Sequence, residues 1–376
     1  MVKSISMVLM GCGGVGRQLL QHIVSCRSLH AKQGVRLRVV GICDSKSLLF
    51  VSDVLTKELD DTLLLEVCRI KANGTSLHTL TGECQVCADP EVMKRIMDIA
   101  AALVRTTGLA LVDCSASDET IGVLKGAIHL GCCVVLANKK PLTTKIEDYD
   151  KLVSHPRRLR HESTVGAGLP VIASLNRLLS SGDPIRQIIG SLSGTLGYVM
   201  SEVEDGKPFS EVVKAAKSLN YTEPDPRDDL SGMDVARKAL ILARLLGWRM
   251  EISSIKIESL YPEEMGANVM SAEEFLVKGL PLLDKNIEER VRKASSNGNV
   301  LRYVCVIEDT RCNVGIQEIP KDSPLGRLRG SDNILVVHSR CYSQQPLVIQ
   351  GAGAGNDTTA AGVLADILDI QDLFSS

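Results

Sequence analysis

Two rhythms of apolar residues alternate along the first part of this chain. Ile5 to Met10 is a short apolar run, a glycine-rich turn follows, and Arg17 to Val24 repeats apolar residues at helical spacing. That order predicts strand, turn and helix. It recurs with a strand over 37–44, a helix over 90–104, a strand from Leu109, a helix over 120–130 and a strand over 132–137. Alternation of this kind predicts an α/β fold built on a parallel sheet. Ser28 to Gly34 reads as an extra loop before the second strand. Further on, Val171 to Leu179 predicts a helix, and another runs from Met233 to a C-terminal Gly247. Between these, Pro224 and Pro226 predict a stiff loop over Glu223 to Asp229. Pro346 to Gln350 reads as a strand entering Gly351-Ala352-Gly353-Ala354-Gly355, with a helix from Asp357 to Leu368.

The first turn is Gly11-Cys12-Gly13-Gly14-Val15-Gly16. A G-x-G-x-x-G alone is a weak signal. Between a strand and a helix it gains force, because glycines let a pyrophosphate approach the helix N-terminus. The expected acidic residue closing the second strand is Asp44, placed to accept the adenosine ribose hydroxyls. Lys46, two residues on, can attract a 2′-phosphate, so NAD and NADP both stay open. In parallel sheets the ligand crevice lies beyond the carboxyl ends of strands. Ser115-Ala116 and Asn138-Lys139 fall there too. This predicts a Rossmann-type dinucleotide-binding domain.

The densest chemistry lies in Tyr221-Thr222-Glu223-Pro224-Asp225-Pro226-Arg227-Asp228-Asp229-Leu230-Ser231-Gly232-Met233-Asp234-Val235-Ala236-Arg237-Lys238. Five carboxylates fall within the twelve residues 223–234. Asp234 and Lys238 stand at i and i+4, on one side of the predicted helix. Taken alone, that spacing describes a surface ion pair as readily as a site. The whole string resembles the signature of homoserine dehydrogenases.

The resemblance runs from Gly11 to Gly362 with motifs in the expected order. It implies interconversion of L-homoserine and L-aspartate 4-semialdehyde with NADP or NAD. Glu223 and Asp229 would hold the substrate ammonium through charge-assisted bonds. Lys238, its pKa lowered by partial burial, would exchange the hydroxyl proton, steadied by Asp234. Lys139 would lie beside cofactor and substrate as the competing acid/base. Gly194 and Thr195 would face the substrate carboxylate, with Tyr221 lining the same site. Gly11, Cys12, Gly13, Gly14, Val15, Gly16, Asp44, Lys46, Ser115, Ala116, Lys139 and Gly355 would hold the cofactor. At Ser115-Ala116 the chain departs from the family's more hydroxylated turn. Glu162, Val165, Ala167 and Leu169 would ring a sodium ion, mostly through carbonyls; the same segment also reads as a tight turn.

The domains expected from this are 1–145 with 346–376 for the dinucleotide, and an α+β substrate and dimerisation domain over 146–345. The strand-rich stretch from Val300 to Val337 would support a homodimer. The length matches the short form, without aspartate kinase or regulatory domains.

Composition narrows the alternatives. A net charge of -2 and 3% aromatics argue against a nucleic-acid partner, and no apolar run is long enough to span a membrane. Twelve cysteines without a disulfide framework, and a strand starting almost at once, suggest a cytoplasmic protein. Cys84-Gln85-Val86-Cys87 has no second pair of ligands and carries no metal expectation. Two rivals remain: an aspartate-semialdehyde dehydrogenase, which needs an activated cysteine, and a catalytically silent nucleotide sensor.

Overall fold

The computed structural model describes residues 2–80 and 84–374. The chain forms two compact units, Met1–Gly168 with Gly355–Ser376, and Leu169–Ala354. The expected boundaries at 145/146 and 345/346 shift for a simple reason. Strand β7 (Leu159–Arg160) extends the first sheet, whereas β13 (Leu347–Ala352) pairs with β12 (Asp332–Ser339) in the second.

The first unit holds β1 (Lys3–Met10), β2 (Val35–Cys43), β3 (Ser47–Val51), β4 (Cys84–Ala88), β5 (Ala110–Asp113), β6 (Cys133–Leu136) and β7. They lie in the order β4-β3-β2-β1-β5-β6-β7. Pairs from β2 through β1, β5 and β6 to β7 are parallel, whereas β3 runs antiparallel to β2 and β4. Around the sheet stand α1 (Gly14–Ser25), α2 (Arg27–Lys32), α3 (Asp61–Ala72), α4 (Val92–Val104), α5 (Ile121–Leu130), α6 (Ile146–Val153) and α14 (Asn356–Asp369). Residues Ile5, Met7, Val8, Leu9, Leu111 and Val112 are wholly buried, which is why β1 and β5 read as unbroken apolar runs. The Ser28–Gly34 segment is not a loop. It is largely α2, held by Arg27, whose guanidinium bonds Asp61 at 2.8 Å. With β1 between β2 and β5, the crevice opens at the carboxyl ends of these three strands.

The second unit has β8 (Ile185–Ser191), β9 (Lys256–Ile257), β10 (Asn299–Glu308), β11 (Arg311–Pro320), β12 and β13, ordered β13-β12-β8-β10-β11-β9. All its pairings are antiparallel except β9 with β11. Its helices are α7 (Val171–Ser180), α8 (Gly194–Glu204), α9 (Phe209–Ser218), α10 (Pro226–Leu230), α11 (Met233–Leu245), α12 (Ala272–Glu274) and α13 (Asp284–Ser296). Val304, Leu325, Leu328, Ile334 and Val336 form one core cluster beside the sheet. Helix α10 corrects the stiff loop expected over Glu223 to Asp229. Pro226 occupies the first helical turn, where its missing N–H costs nothing, and Asp225 caps the helix by accepting from Arg227 N–H.

Candidate active site

The dinucleotide side is built on the turn after β1. Met10 stands in register with Cys43 of β2 and Asp113 of β5, so all three strands end at one level. A Cβ on Gly16 would lie 2.0 Å from the Gly11 carbonyl, whereas beside Gly13 there is open space. Helix α1 begins there with no side-chain cap, leaving its first N–H groups for an anion. This cradle fits a pyrophosphate, with Val15 in the first turn of α1. Cys12 is buried within it, and burial first, then the neighbouring Cys68, pushes its thiol up to about 12.

Asp44 is already engaged. Its Oδ1 accepts from Lys46 N–H and Ser47 N–H, both at 2.9 Å, and from Ser47 Oγ at 3.0 Å. Its Oδ2 lies 2.8 Å from Lys71 Nζ on α3. Burial pushes the carboxyl up, but Lys71 and the Lys46 and Ser47 donors outweigh it and hold the group below its usual range. Asp44 is therefore a carboxylate already paired with a cation. The side chain of Lys46 is exposed, and its backbone N–H closes the turn. Lys71 carried no motif; only the fold of α3 against the glycine turn reveals it.

Beyond β5, Ser115 N–H donates to Asp113, and Ser115 Oγ accepts from Asn138 and from Ser117 N–H. Ala116 follows in the same loop, and Lys139 follows Asn138 beyond β6, half-buried. Gly355 precedes α14 at φ +119°, and its carbonyl accepts from the Thr359 hydroxyl at 2.6 Å. The next residue, Asn356, stands against the cradle: a Cβ on Gly14 would lie 2.5 Å from Asn356 Nδ2.

The substrate side belongs to the second unit. Lys238 on α11 is buried, 8% exposed, and donates to the Leu192 carbonyl at 2.6 Å. Its Nζ lies 2.9 Å from Asp234, whose side chain remains half-exposed. The i,i+4 pair therefore leads inward. Asp229 Oδ2 accepts from Glu223 N–H at 2.8 Å. Burial, then nearby Glu223 and Asp234, raises the Asp229 carboxyl, against the donors of Glu223 N–H and Thr195. Glu223 and Asp234 thus act on Asp229 as like charges, and a cation bound there would relieve them.

Gly194 opens α8 behind its cap Ser193, which accepts from Leu196 N–H at 3.2 Å. The hydroxyl of Thr195 is turned to the Tyr221 carbonyl and to Asp229. Tyr221 is exposed and meets Tyr198 edge-on at 5.2 Å. Arg227 fastens this region. It chelates Asp225, donates to the carbonyls of Met265 at 3.1 Å and Met270 at 2.8 Å, and lies over the Phe275 ring.

Along the segment of the expected sodium ligands, Glu162 and Val165 are buried, and Ala167 adopts φ 56°. Glu162 N–H donates to Asp366, a carboxyl raised to about 8 by burial despite that hydrogen bond. The Glu162 carbonyl accepts from Val165 N–H at 3.3 Å, and that of Leu169 from Val171 N–H at 2.8 Å. The carbonyls of two of the four expected residues thus already accept a bond within the segment. No cluster of three His, Cys, Asp or Glu side chains suited to a metal exists among the described residues.

A glycine turn closing the central strand of a parallel-rich sheet, joined to an antiparallel α+β unit, places this chain among dinucleotide-fold proteins. The chain belongs to the homoserine dehydrogenase family, whose model matches residues 170–368. It is 36% identical over 370 residues to the bifunctional aspartokinase/homoserine dehydrogenase of Haemophilus influenzae, covering 97% of this chain and 43% of that protein. A Zea mays bifunctional relative is likewise 36% identical, over 98% of this chain and 38% of that protein. The chain thus spans about two fifths of the length of these relatives. The homoserine dehydrogenase of Paracoccidioides brasiliensis is 39% identical over 73% of this chain and 77% of its own. Among solved structures, a Candida auris protein of unknown function superposes with a TM-score of 0.86 at 31% identity, covering 98% of this chain and 99% of that one. A hyperthermophilic archaeal homoserine dehydrogenase in complex with NADPH shares the fold, with a TM-score of 0.72, 23% identity and 99% of both chains covered. No helix among the described residues is long and apolar enough to cross a membrane.

Proposed function

We propose that this protein interconverts L-homoserine and L-aspartate 4-semialdehyde. The observation that carries the reading is buried Lys238, held by the Leu192 carbonyl and by Asp234, whose charge also acts on Asp229. Glu223 and Asp229 bind the substrate ammonium, replacing their mutual repulsion with charge-assisted bonds. NADP or NAD, when bound, supplies or accepts the hydride. In reduction Lys238 donates a proton to the aldehyde oxygen; in oxidation the neutral amine takes the hydroxyl proton back. Asp234 and the Leu192 carbonyl hold two of its donors and aim the third. Lys139 assists on the cofactor side.

The Lys71 clamp on Asp44 offsets part of the charge that would repel a 2′-phosphate, so NADP is the favoured cofactor. A sodium ion at Glu162, Val165, Ala167 and Leu169 serves the turn, and no chemical step passes through it. We further propose a cytoplasmic homodimer assembled through the second unit's sheet. Burial pushes Cys43 and Cys305 up to about 12, which argues against either as the thiolate that the semialdehyde dehydrogenase rival needs.

The test is absorbance at 340 nm with homoserine and NADP+ or NAD+, beside a parallel assay for phosphate-dependent oxidation of the semialdehyde. Homoserine-dependent reduction with no phosphorolysis is expected. The reverse result, or turnover of neither, sinks the proposal.

A further inference from the structure

Asp113 closes β5 and is fully buried. Its Oδ1 accepts from Ser115 N–H at 2.9 Å; its Oδ2 accepts from Thr120 Oγ1 at 2.8 Å and Asn138 Nδ2 at 3.0 Å. The amide orientation of Asn138 is fixed independently, because its Oδ1 accepts from Lys140 N–H at 3.1 Å. The same Nδ2 reaches the Ser117 carbonyl at 2.7 Å. Every group bonded to Asp113 is a neutral donor, an arrangement that satisfies an anion without neutralising it. Helix α5 starts directly after Thr120, so its positive end also favours charge here.

Three donors on two oxygens require a carboxylate, because an asparagine would turn its NH2 against Ser115 N–H or against Thr120 Oγ1 and Asn138 Nδ2. The charge is thereby buried with only neutral groups bonded to it, and its field reaches whatever lies beside this loop. The strand order says what that is. With Asp44 and the adenosine half on the β2 side of β1, the second mononucleotide half falls to β5 and β6. That half carries the nicotinamide, whose ring is cationic when oxidised and neutral when reduced.

We infer that Asp113 is a positioning residue that also biases the cofactor site towards the oxidised nicotinamide. It fixes the Ser115-Ala116 loop and, through Asn138, the turn that carries Lys139. Its charge stabilises the positive ring that develops as hydride leaves the reduced cofactor. The inference rests on the proposed use of a nicotinamide dinucleotide, but not on the identity of the second substrate.

The experiment compares dissociation constants for NADPH and NADP+, by cofactor fluorescence and by calorimetry, in wild type, Asp113→Asn and Thr120→Val. Asp113→Asn should weaken NADP+ by about tenfold and NADPH by less than about twofold, the size expected for one charge at a partly screened distance. Thr120→Val removes a bond but keeps the charge, so it should leave the ratio of the two constants unchanged. Equal losses for both cofactors, or no change in either, overturn the inference. Should Asp113→Asn not fold, the wild type still decides: NADP+ must bind no more than about tenfold more weakly than NADPH, the same single-charge scale. Binding of neither cofactor overturns the dinucleotide reading and this inference together. Binding of both without homoserine turnover overturns the proposed reaction alone.

Discussion

Lys71 Nζ lies 2.8 Å from Asp44 Oδ2, and both side chains are largely buried, 16% and 10% exposed. The residue expected to select the ribose is thus half of an ion pair. A paired Asp44 repels a 2′-phosphate less, and a lysine beside it offers that phosphate a point charge.

Lys71→Ala should therefore lower kcat/KM for NADP relative to NAD by roughly tenfold, a single charge's worth at this range. Asp44→Ala should move the ratio the other way. Both are read at fixed ionic strength, since salt screens exposed charge. A ratio that stays within about twofold in Lys71→Ala removes the pair from cofactor selection.

The crowding around Asp229 gives a pH prediction. Burial raises its carboxyl, and Glu223 and Asp234 add to that. Substrate ammonium needs Asp229 ionised, so kcat/KM for homoserine falls as pH drops through this raised value. Glu223→Gln removes one neighbouring charge and keeps the backbone N–H that bonds Asp229. The acid limb should then move to lower pH, while KM at neutral pH rises, because a charge-assisted bond is worth about 1.5–3 kcal/mol. An acid limb that stays in place, with KM unchanged, takes both residues out of the ammonium site.

Gly232 sets the start of α11 at φ +74°, and a Cβ there would fall 1.9 Å from the Tyr303 hydroxyl oxygen. That hydroxyl donates to the Glu258 carbonyl at 2.7 Å. Gly232→Ala should cost roughly 1–3 kcal/mol, from the left-handed backbone alone, plus the displacement of Tyr303. Thermal melting checks the loss, and Tyr303→Phe should recover part of it by removing the struck atom. A melting temperature unchanged in Gly232→Ala contradicts this close approach.

Much of the first unit was legible because its parallel strands are buried on both faces and separated by glycine turns and amphipathic helices. The string from Tyr221 to Lys238 carried most of the candidate site. What escaped has no local signature. The β2–β3 hairpin depends on Asp44 closing a turn, and Cys84-Gln85-Val86-Cys87 gave no sign of being an edge strand paired with β3. Lys71, Arg227 and Asn356 become informative only when distant segments meet, at Asp44, at Met265 and Met270, and at Gly14. Likewise, Leu347–Ala352 leads into a second glycine turn, yet its pairing with β12 keeps it in the second unit. Strand identity can be read from a short sequence; the choice of partner strand cannot.

The most direct test of the account is homoserine-dependent NADP+ reduction by Lys238→Ala, followed at 340 nm beside cofactor titration of the same variant. Lys238 is the buried ammonium on which the proposed proton transfer depends. The account predicts that kcat falls by about 10²–10⁴, the range for a lost general acid/base, while cofactor affinity stays at the wild-type value. A variant within about tenfold of wild-type kcat would contradict it and shift the proton transfer to Lys139.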